Sequence, residues 1–299
     1  MISICIPIYN FEVSGLVKKL SAQSKALDVT SEIILIDDCS NNKYKEINES
    51  TCATHKYIKL EKNIGRAAIR NLFLKYATYE YLLFLDCDSI VPSDDFLKKY
   101  IDALKKYSAQ LICGGREHQK LRPHKSKLLR WKYGINVESK TFEERGKNPN
   151  KSFMSNNFLV SRSVFKRIQF NEKLVQYGHE DTLFGFELKK RNIRIVHIDN
   201  PILNGDLDHN ETYIKRTEEA ISNLIQILKI TNYDKELIQD VTLLQMYYKL
   251  YKVRNLTRVL FLILKPIIAY FLSHGYINLY VFDFYKLGTL TLKMNSTRK

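Results

Sequence analysis

The chain opens on an apolar run, Ile2-Ser3-Ile4-Cys5-Ile6-Pro7-Ile8, that gives way to Tyr9-Asn10, and its length and β-branched content predict a buried strand ending in a loop. A second run, Glu32 to Ile36, stops at Asp37-Asp38-Cys39-Ser40-Asn41, and a third, Tyr81 to Leu85, stops at Asp86-Cys87-Asp88. Helical patterns at about Val13 to Ala26 and Ile64 to Ala77 separate them. Near-continuous apolar strands alternating with helices predict an α/β fold with a mostly parallel sheet covered on both faces. Ligands of such sheets sit beyond the carboxyl ends of the strands, so Tyr9, Asp37, Asp38, Asp86 and Asp88 are expected around one crevice.

Further along, the pattern predicts a helix from Phe96 to Tyr107, strands at Leu111 to Gly115 and Asn157 to Ser161, a helix from Thr182 to Arg191, a strand at Ile193 to Ile198 and a covering helix from Glu211 to Ile230. The polar, basic stretch from Arg116 to Lys151, with a helix around Trp131, reads as loops that shape an acceptor site. After about Thr231 the chain turns aromatic, apolar and basic. Val259 to Leu264 and Ile267 to Leu272 flank Lys265-Pro266, and each side is too short to span a bilayer. They predict an interfacial pair of amphipathic helices, with a helical cap or a dimer surface as the alternative.

Composition is that of a folded chain: 299 residues, 45% hydrophobic and 26% charged, with no low-complexity tract or repeat. The formal charge of +15 favours phosphates, nucleic acid or anionic lipid as partners. Nucleic acid is set aside because no RNP, helix-turn-helix or zinc pattern accompanies the charge. Five cysteines without a CxxC pair read as small apolar fillers in a reducing compartment, and the first residues lack the layout of a signal peptide, so a cytosolic location is expected.

An Asp-x-Asp at a strand end projects two carboxylates to the same side, and such hard oxygen ligands suit Mn²⁺ or Mg²⁺ with positions left for water and phosphate. An isolated tripeptide of this kind is more often a cap or a turn. Its setting matters more, because four carboxylates in one crevice repel each other without a cation. A nucleotidyltransferase would carry a glycine-rich basic loop after the first strand, and a dinucleotide enzyme GxGxxG; Pro7-Ile8-Tyr9-Asn10 is neither.

Five segments in order, Ile4 to Asn10, Ile36 to Ser40, Asn63-Ile64-Gly65-Arg66-Ala67-Ala68-Ile69-Arg70-Asn71, Phe84 to Asp88, and Gly178-His179-Glu180-Asp181, resemble the family 2 glycosyltransferases with the GT-A fold. The resemblance covers roughly residues 1 to 230, with a nucleotide-sugar half at 1–115 and an acceptor half at 116–230; 231–299 is left as a helical extension on a membrane or a protein. It implies that Pro7 and Tyr9 line the base, that Asp38 and Asp37 hydrogen-bond base or ribose, and that Asn63, Gly65 and Arg70 border the diphosphate, with Cys87 beside them. Asp37 as a turn cap and Arg70 as a helix-surface ion pair stay open. Asp88 and then Asp86 would hold the metal, Asp181 would be the general base, and Glu180 would orient the acceptor, unless the last two only charge a helix N-terminus.

Where many relatives complete the metal shell with histidine, this chain has Asn204; His209 would substitute if the loop bends. The reading implied is an inverting transferase moving a hexose or N-acetylhexosamine from a nucleotide-sugar, UDP-sugar first, to a surface polysaccharide or lipid-linked glycan. It would work on the inner face of the cytoplasmic membrane, with a non-catalytic nucleotide-sugar binder or membrane scaffold as the alternative.

Overall fold

The computed structural model describes residues 1–296, so the last three positions of the expected extension lie outside the described residues. The strands are β1 Ile2–Ile8, β2 Ser31–Asp37, β3 Lys56–Lys59, β4 Tyr81–Leu85, β5 Ser89–Ile90, β6 Leu111–Cys113, β7 Arg116–Glu117, β8 Asn157–Ser161, β9 Val196–His197 and β10 Ile202–Asn204. The α-helices are α1 Ser14–Lys25, α2 Asn42–Thr51, α3 Arg66–Tyr76, α4 Phe96–Tyr107, α5 Leu128–Tyr133, α6 Phe142–Lys147, α7 Arg162–Arg167 and α8 Glu180–Lys190, then α9 Asn210–Ile230, α10 Lys235–Asp240, α11 Thr242–Lys249, α12 Arg254–Ser273 and α13 Leu279–Ser296. They form two compact units, one of Met1–His118, Ser139–Lys173 and Asp181–Asp206, the other of Gln119–Glu138, Leu174–Glu180 and the chain from Leu207 onward.

The first unit is built on a sheet ordered β3-β2-β1-β4-β8-β6-β9, parallel except for β8, which runs against both β4 and β6. Alternation along each strand explains why these runs read as continuously apolar. Ile2, Ile4, Ile6 and Ile8 join Leu35, Leu83 and Leu85 on one face, while Cys5, Ile34, Ile36, Leu82 and Phe84 face the other. On that second face Phe84 stacks on Phe158 at 4.9 Å and meets the edges of Phe73 and Phe165. Pro7 is tolerated in β1 because the pairing with β4 ends at Cys5 and Phe84. A small second sheet, β5-β10-β7, sits in the same unit.

Several elements depart from the sequence expectation. β3 is an edge strand with exposed lysines at both ends, and α2 has no apolar stripe, burying only Asn48, which accepts from the Val13 N–H at 3.0 Å and donates to the Phe11 carbonyl at 2.8 Å. Neither carries the hydrophobic period that identifies an element. Asp86 consequently follows the fourth strand in the chain, not the third. The stretch between Arg116 and Lys151 contains α5, where a helix around Trp131 is expected, and also α6, which is not expected and is fastened by a capping box between Thr141 and Glu144.

In the second unit, Leu129, Tyr213, Ile214, Phe261, Ile268, Leu272, Phe282 and Tyr285 share one core. Compactness therefore divides the chain elsewhere than at 230, since α9 packs with α12 and α13. Asn210 at the start of α9 is buried, accepting from the Leu129 N–H at 2.9 Å and donating to the carbonyls of Lys125 and Ser273. The expected pair of helices around Pro266 is one continuous helix, α12, and that expectation is corrected. Proline withholds one backbone hydrogen bond, but Phe261 and Leu272 are fully buried on either side of it and hold the helix in line. A Cβ at Gly288 of α13 would overlap the Phe261 ring, so glycine is what lets the two helices close.

Candidate active site

Strands β1, β2 and β4 lie side by side and parallel, so their carboxyl ends release three loops at one edge of the sheet. The first two loops are stitched together. Asn10, in the left-handed region at φ 49°, donates its N–H to Ser40 Oγ at 2.8 Å and accepts from the Asn41 N–H at 2.8 Å, and the Asp38 N–H donates to the Ile8 carbonyl. Asp37 is buried and accepts from the Ser40 N–H at 2.7 Å and the Tyr57 hydroxyl at 3.0 Å, which is the turn-cap role. Tyr9 presents its ring to solvent at 54% exposure, and Pro7 is half-buried behind it.

Asp38 is committed to the entry of α3. Its carboxylate accepts from the N–H groups of Ile64 at 2.7 Å and Gly65 at 3.0 Å, while Asn63 donates to its backbone carbonyl at 3.2 Å. Burial raises the Asp38 carboxyl above the ordinary range, and the two N–H contacts pull against that shift. Gly65 holds φ 85°, a conformation that costs glycine little and other residues much. The loop of Asn63 and Gly65 is thus held in shape by the carboxylate expected at the base or ribose.

At the end of β4, Arg70 Nη2 donates to Asp86 Oδ1 at 2.6 Å and Nη1 to the Arg66 carbonyl, with the guanidinium 5.6 Å over Phe170. The Arg70 side chain is 3% exposed, so it underpins Asp86 and does not stand open at the surface. Arg70→Met would leave Asp86 uncompensated beside Asp88. Its unfolding free energy, from urea titration, is expected to fall by about 2–4 kcal/mol, and an unchanged midpoint would mean that the pair contributes nothing.

The Asp88 carboxyl is raised by burial first and by the Asp86 charge second, with Arg116 and Arg66 acting in the opposite direction. The Cys87 thiol is pushed up to about 12 by burial and by both aspartates, which keeps it a neutral thiol. The Asp88 carbonyl accepts from the Gly205 N–H at 2.8 Å, and Asn204 pairs with Ser89 across β10 and β5. That pairing sets the Asn204 backbone against the residue after Asp88; the Asn204 Nδ2 donates to the Asp206 carbonyl at 2.6 Å. His209 is exposed, precedes α9 as its N-cap and belongs to the helical unit. Among the described residues no three His, Cys, Asp or Glu side chains gather to hold a metal. The carboxylates of Asp86 and Asp88 are hard oxygen donors, the kind that suits a cation keeping water and phosphate ligands, and the nearby Arg66, Arg70 and Arg116 offset their charge.

Gly178 at φ 91° and His179 at φ 66° make a left-handed turn into α8. Asn223 of α9 donates to the carbonyls of Gln176 and Gly178, and a side chain at Gly178 would press on Ala220. Glu180 is buried at the first position of α8, and half-buried Asp181 accepts from the Thr182 N–H at 2.7 Å. Arg66 and Arg116 were missed in the sequence; Arg66 stands directly after Gly65 in a motif already singled out, and Arg116 directly after Gly114-Gly115.

The profile described as Glycosyl transferase family 2 matches residues 3–169, from β1 through α7. The chain belongs to that family. An uncharacterized glycosyltransferase of Haemophilus influenzae is 29% identical over 196 residues, 64% of this chain and 72% of its own. Other curated relatives are matched over between 15% and 63% of their length. Among solved structures, the mannosyltransferase PcManGT from Pyrobaculum calidifontis, in complex with GDP-Man and Mn²⁺, aligns with TM-score 0.61 at 14% identity, over 100% of this chain and 88% of that one. TarS 1-349 of S. aureus in complex with UDP aligns with TM-score 0.52 at 17% identity, over 99% and 91%. This family 2 glycosyltransferase thus has the GT-A fold, a mostly parallel α/β sheet, with a helical C-terminal region.

Proposed function

We propose that this glycosyltransferase is inverting and divalent-metal-dependent, and moves a hexose or N-acetylhexosamine from a UDP-sugar, ahead of GDP- or dTDP-sugars, to an acceptor hydroxyl of a surface polysaccharide or lipid-linked glycan. The observation that carries the reading is Asp88, half-buried beside Asp86 just beyond the end of β4. Mn²⁺ or Mg²⁺ bound by Asp88, with Asp86 and Asn204 adjoining, would supply electrostatic stabilisation of the departing diphosphate. Arg70 positions Asp86 through their ion pair. Pro7 and Tyr9 flank the base, and Asp38 keeps Asn63 and Gly65 in the shape that admits the donor. Asp181 takes the proton from the acceptor hydroxyl while Glu180 orients the acceptor sugar; one base and one displacement give inversion.

Family membership and the nucleotide-bound structures of TarS and PcManGT support a nucleotide-sugar donor without choosing its base. A lipid-linked acceptor would put the enzyme on the inner face of the cytoplasmic membrane. The test is release of nucleoside diphosphate from UDP-, GDP- and dTDP-sugars with Mn²⁺ or Mg²⁺. Release from one donor, abolished by EDTA, is expected. Donor binding without release in any acceptor mixture would instead make the protein a nucleotide-sugar binder.

A further inference from the structure

The helix α12 carries none of the candidate site residues and presents an apolar surface. Along α12, Leu256, Val259, Leu260, Ile263, Ile267 and Tyr270 are each between 46% and 68% exposed. Spacings of three and four put them on one face. The inward side of the same helix is apolar too, with Phe261, Ile268 and Leu272 buried in the core shared with α9 and α13. Scattered exposed leucines need no explanation, but an unbroken apolar stripe does.

Within Tyr251–Ser273 an 18-residue window reaches a mean hydropathy of 1.7 with 17% of it buried, enough by length and composition to cross a bilayer. Crossing conflicts with its packing. Lys265, midway along, is bound to Glu218 of α9 at 2.9 Å, and Glu218 also accepts from the Tyr285 hydroxyl at 2.6 Å. A spanning helix would pull Phe261 and Leu272 out of the core and break that ion pair, whereas a helix lying flat keeps every inward contact.

Charge identifies what covers the outer face. From Val241 to Phe282 the chain has no Asp or Glu and, besides the paired Lys265, carries Lys249, Lys252, Arg254 and Arg258. A second copy would set these cations against themselves across a twofold axis, whereas anionic headgroups complement them. Tyr251, Tyr276 and Tyr280, at 69%, 69% and 86% exposure, bracket α12 with amphipathic rings suited to the headgroup level. We propose that the outer face of α12 lies in the plane of an anionic bilayer as a monotopic anchor. This rests on the membrane location above but not on the transfer chemistry.

The full chain is mixed with vesicles of phosphatidylcholine alone and with phosphatidylglycerol added, and the bound fraction is measured by sedimentation. Strong binding to the anionic vesicles and weak binding to the neutral ones is expected. Ile263→Glu/Ile267→Glu should reduce binding about tenfold or more at unchanged circular dichroism, because both side chains point outward. Leu256→Ser/Ile263→Ser, which adds no charge, should move it the same way if the first variant misfolds. Equal binding of wild type and variants, indifference to phosphatidylglycerol, or a vesicle-free dimer that the variants dissolve would each overturn the proposal. Asp88→Asn should bind vesicles like wild type, so near-normal transfer by that variant refutes only the catalytic reading, and transfer by a wild type that does not bind vesicles refutes only the anchor.

Discussion

Asp88→Asn is expected to lower turnover by about 10³-fold or more while making the metal-free protein harder to unfold. The two effects share one cause. In the native state the Asp88 carboxyl is raised by burial and by Asp86, so the folded protein holds that proton more tightly than the unfolded chain does. The resulting charge penalty is absent below the ordinary carboxyl pKa and fully present above the raised one. Each pKa unit of elevation corresponds to about 1.4 kcal/mol. An amide relieves it and should raise the unfolding temperature by roughly 2–4 °C for each kcal/mol relieved. Mn²⁺ should then stabilise wild type, through preferential binding to the native state, and leave the variant unmoved. Thermal unfolding with and without Mn²⁺, paired with nucleoside diphosphate release, checks both halves. Near-normal rates in the folded variant would refute the assignment.

For Asp181→Asn the rival roles separate cleanly. If the carboxylate takes the acceptor proton, kcat should fall by about 10²- to 10⁴-fold with the donor KM and the Mn²⁺ stabilisation unchanged. If it merely charges the start of α8, asparagine keeps an oxygen for the Thr182 N–H, stability falls by about 0.3–1 kcal/mol, and the rate survives. Steady-state kinetics at saturating donor, beside a urea titration, distinguish them. A variant with full kcat and slightly lowered stability would remove Asp181 from the mechanism. Glu180 is buried one residue earlier, and its proposed contact with the acceptor predicts a raised acceptor KM, not a lost kcat, for Glu180→Gln.

The central strands were legible because they bury both faces: Ile2 to Ile8 alternate between two cores, and no solvent face interrupts the apolar run. Their acidic ends were legible as punctuation. What could not be read was the partner of each acid. That Arg70 reaches Asp86 depends on how α3 is rotated against β4, and that Asp38 accepts from Ile64 and Gly65 depends on a loop folded back over β2. Asn204 comes beside Asp88 through β5 and β10, strands of two and three residues that are too short for any period to reveal. The continuity of α12 was hidden for a different reason. Proline is the strongest local stop signal in a helix, and only the core contacts of Phe261, Ile268 and Leu272 override it.

The interleaving of the two units also has a consequence for how the protein is made. The helical core begins at Leu129 but closes only on Phe282 and Tyr285, so its earlier members wait on the ribosome for partners encoded far downstream. Truncating after about 240 would therefore strip Tyr213 and Ile214 of their packing, and a shortened chain would report on misfolding before it reported on any membrane. Synthesis of α13 becomes the step at which a nascent, chaperone-exposed chain can become an enzyme.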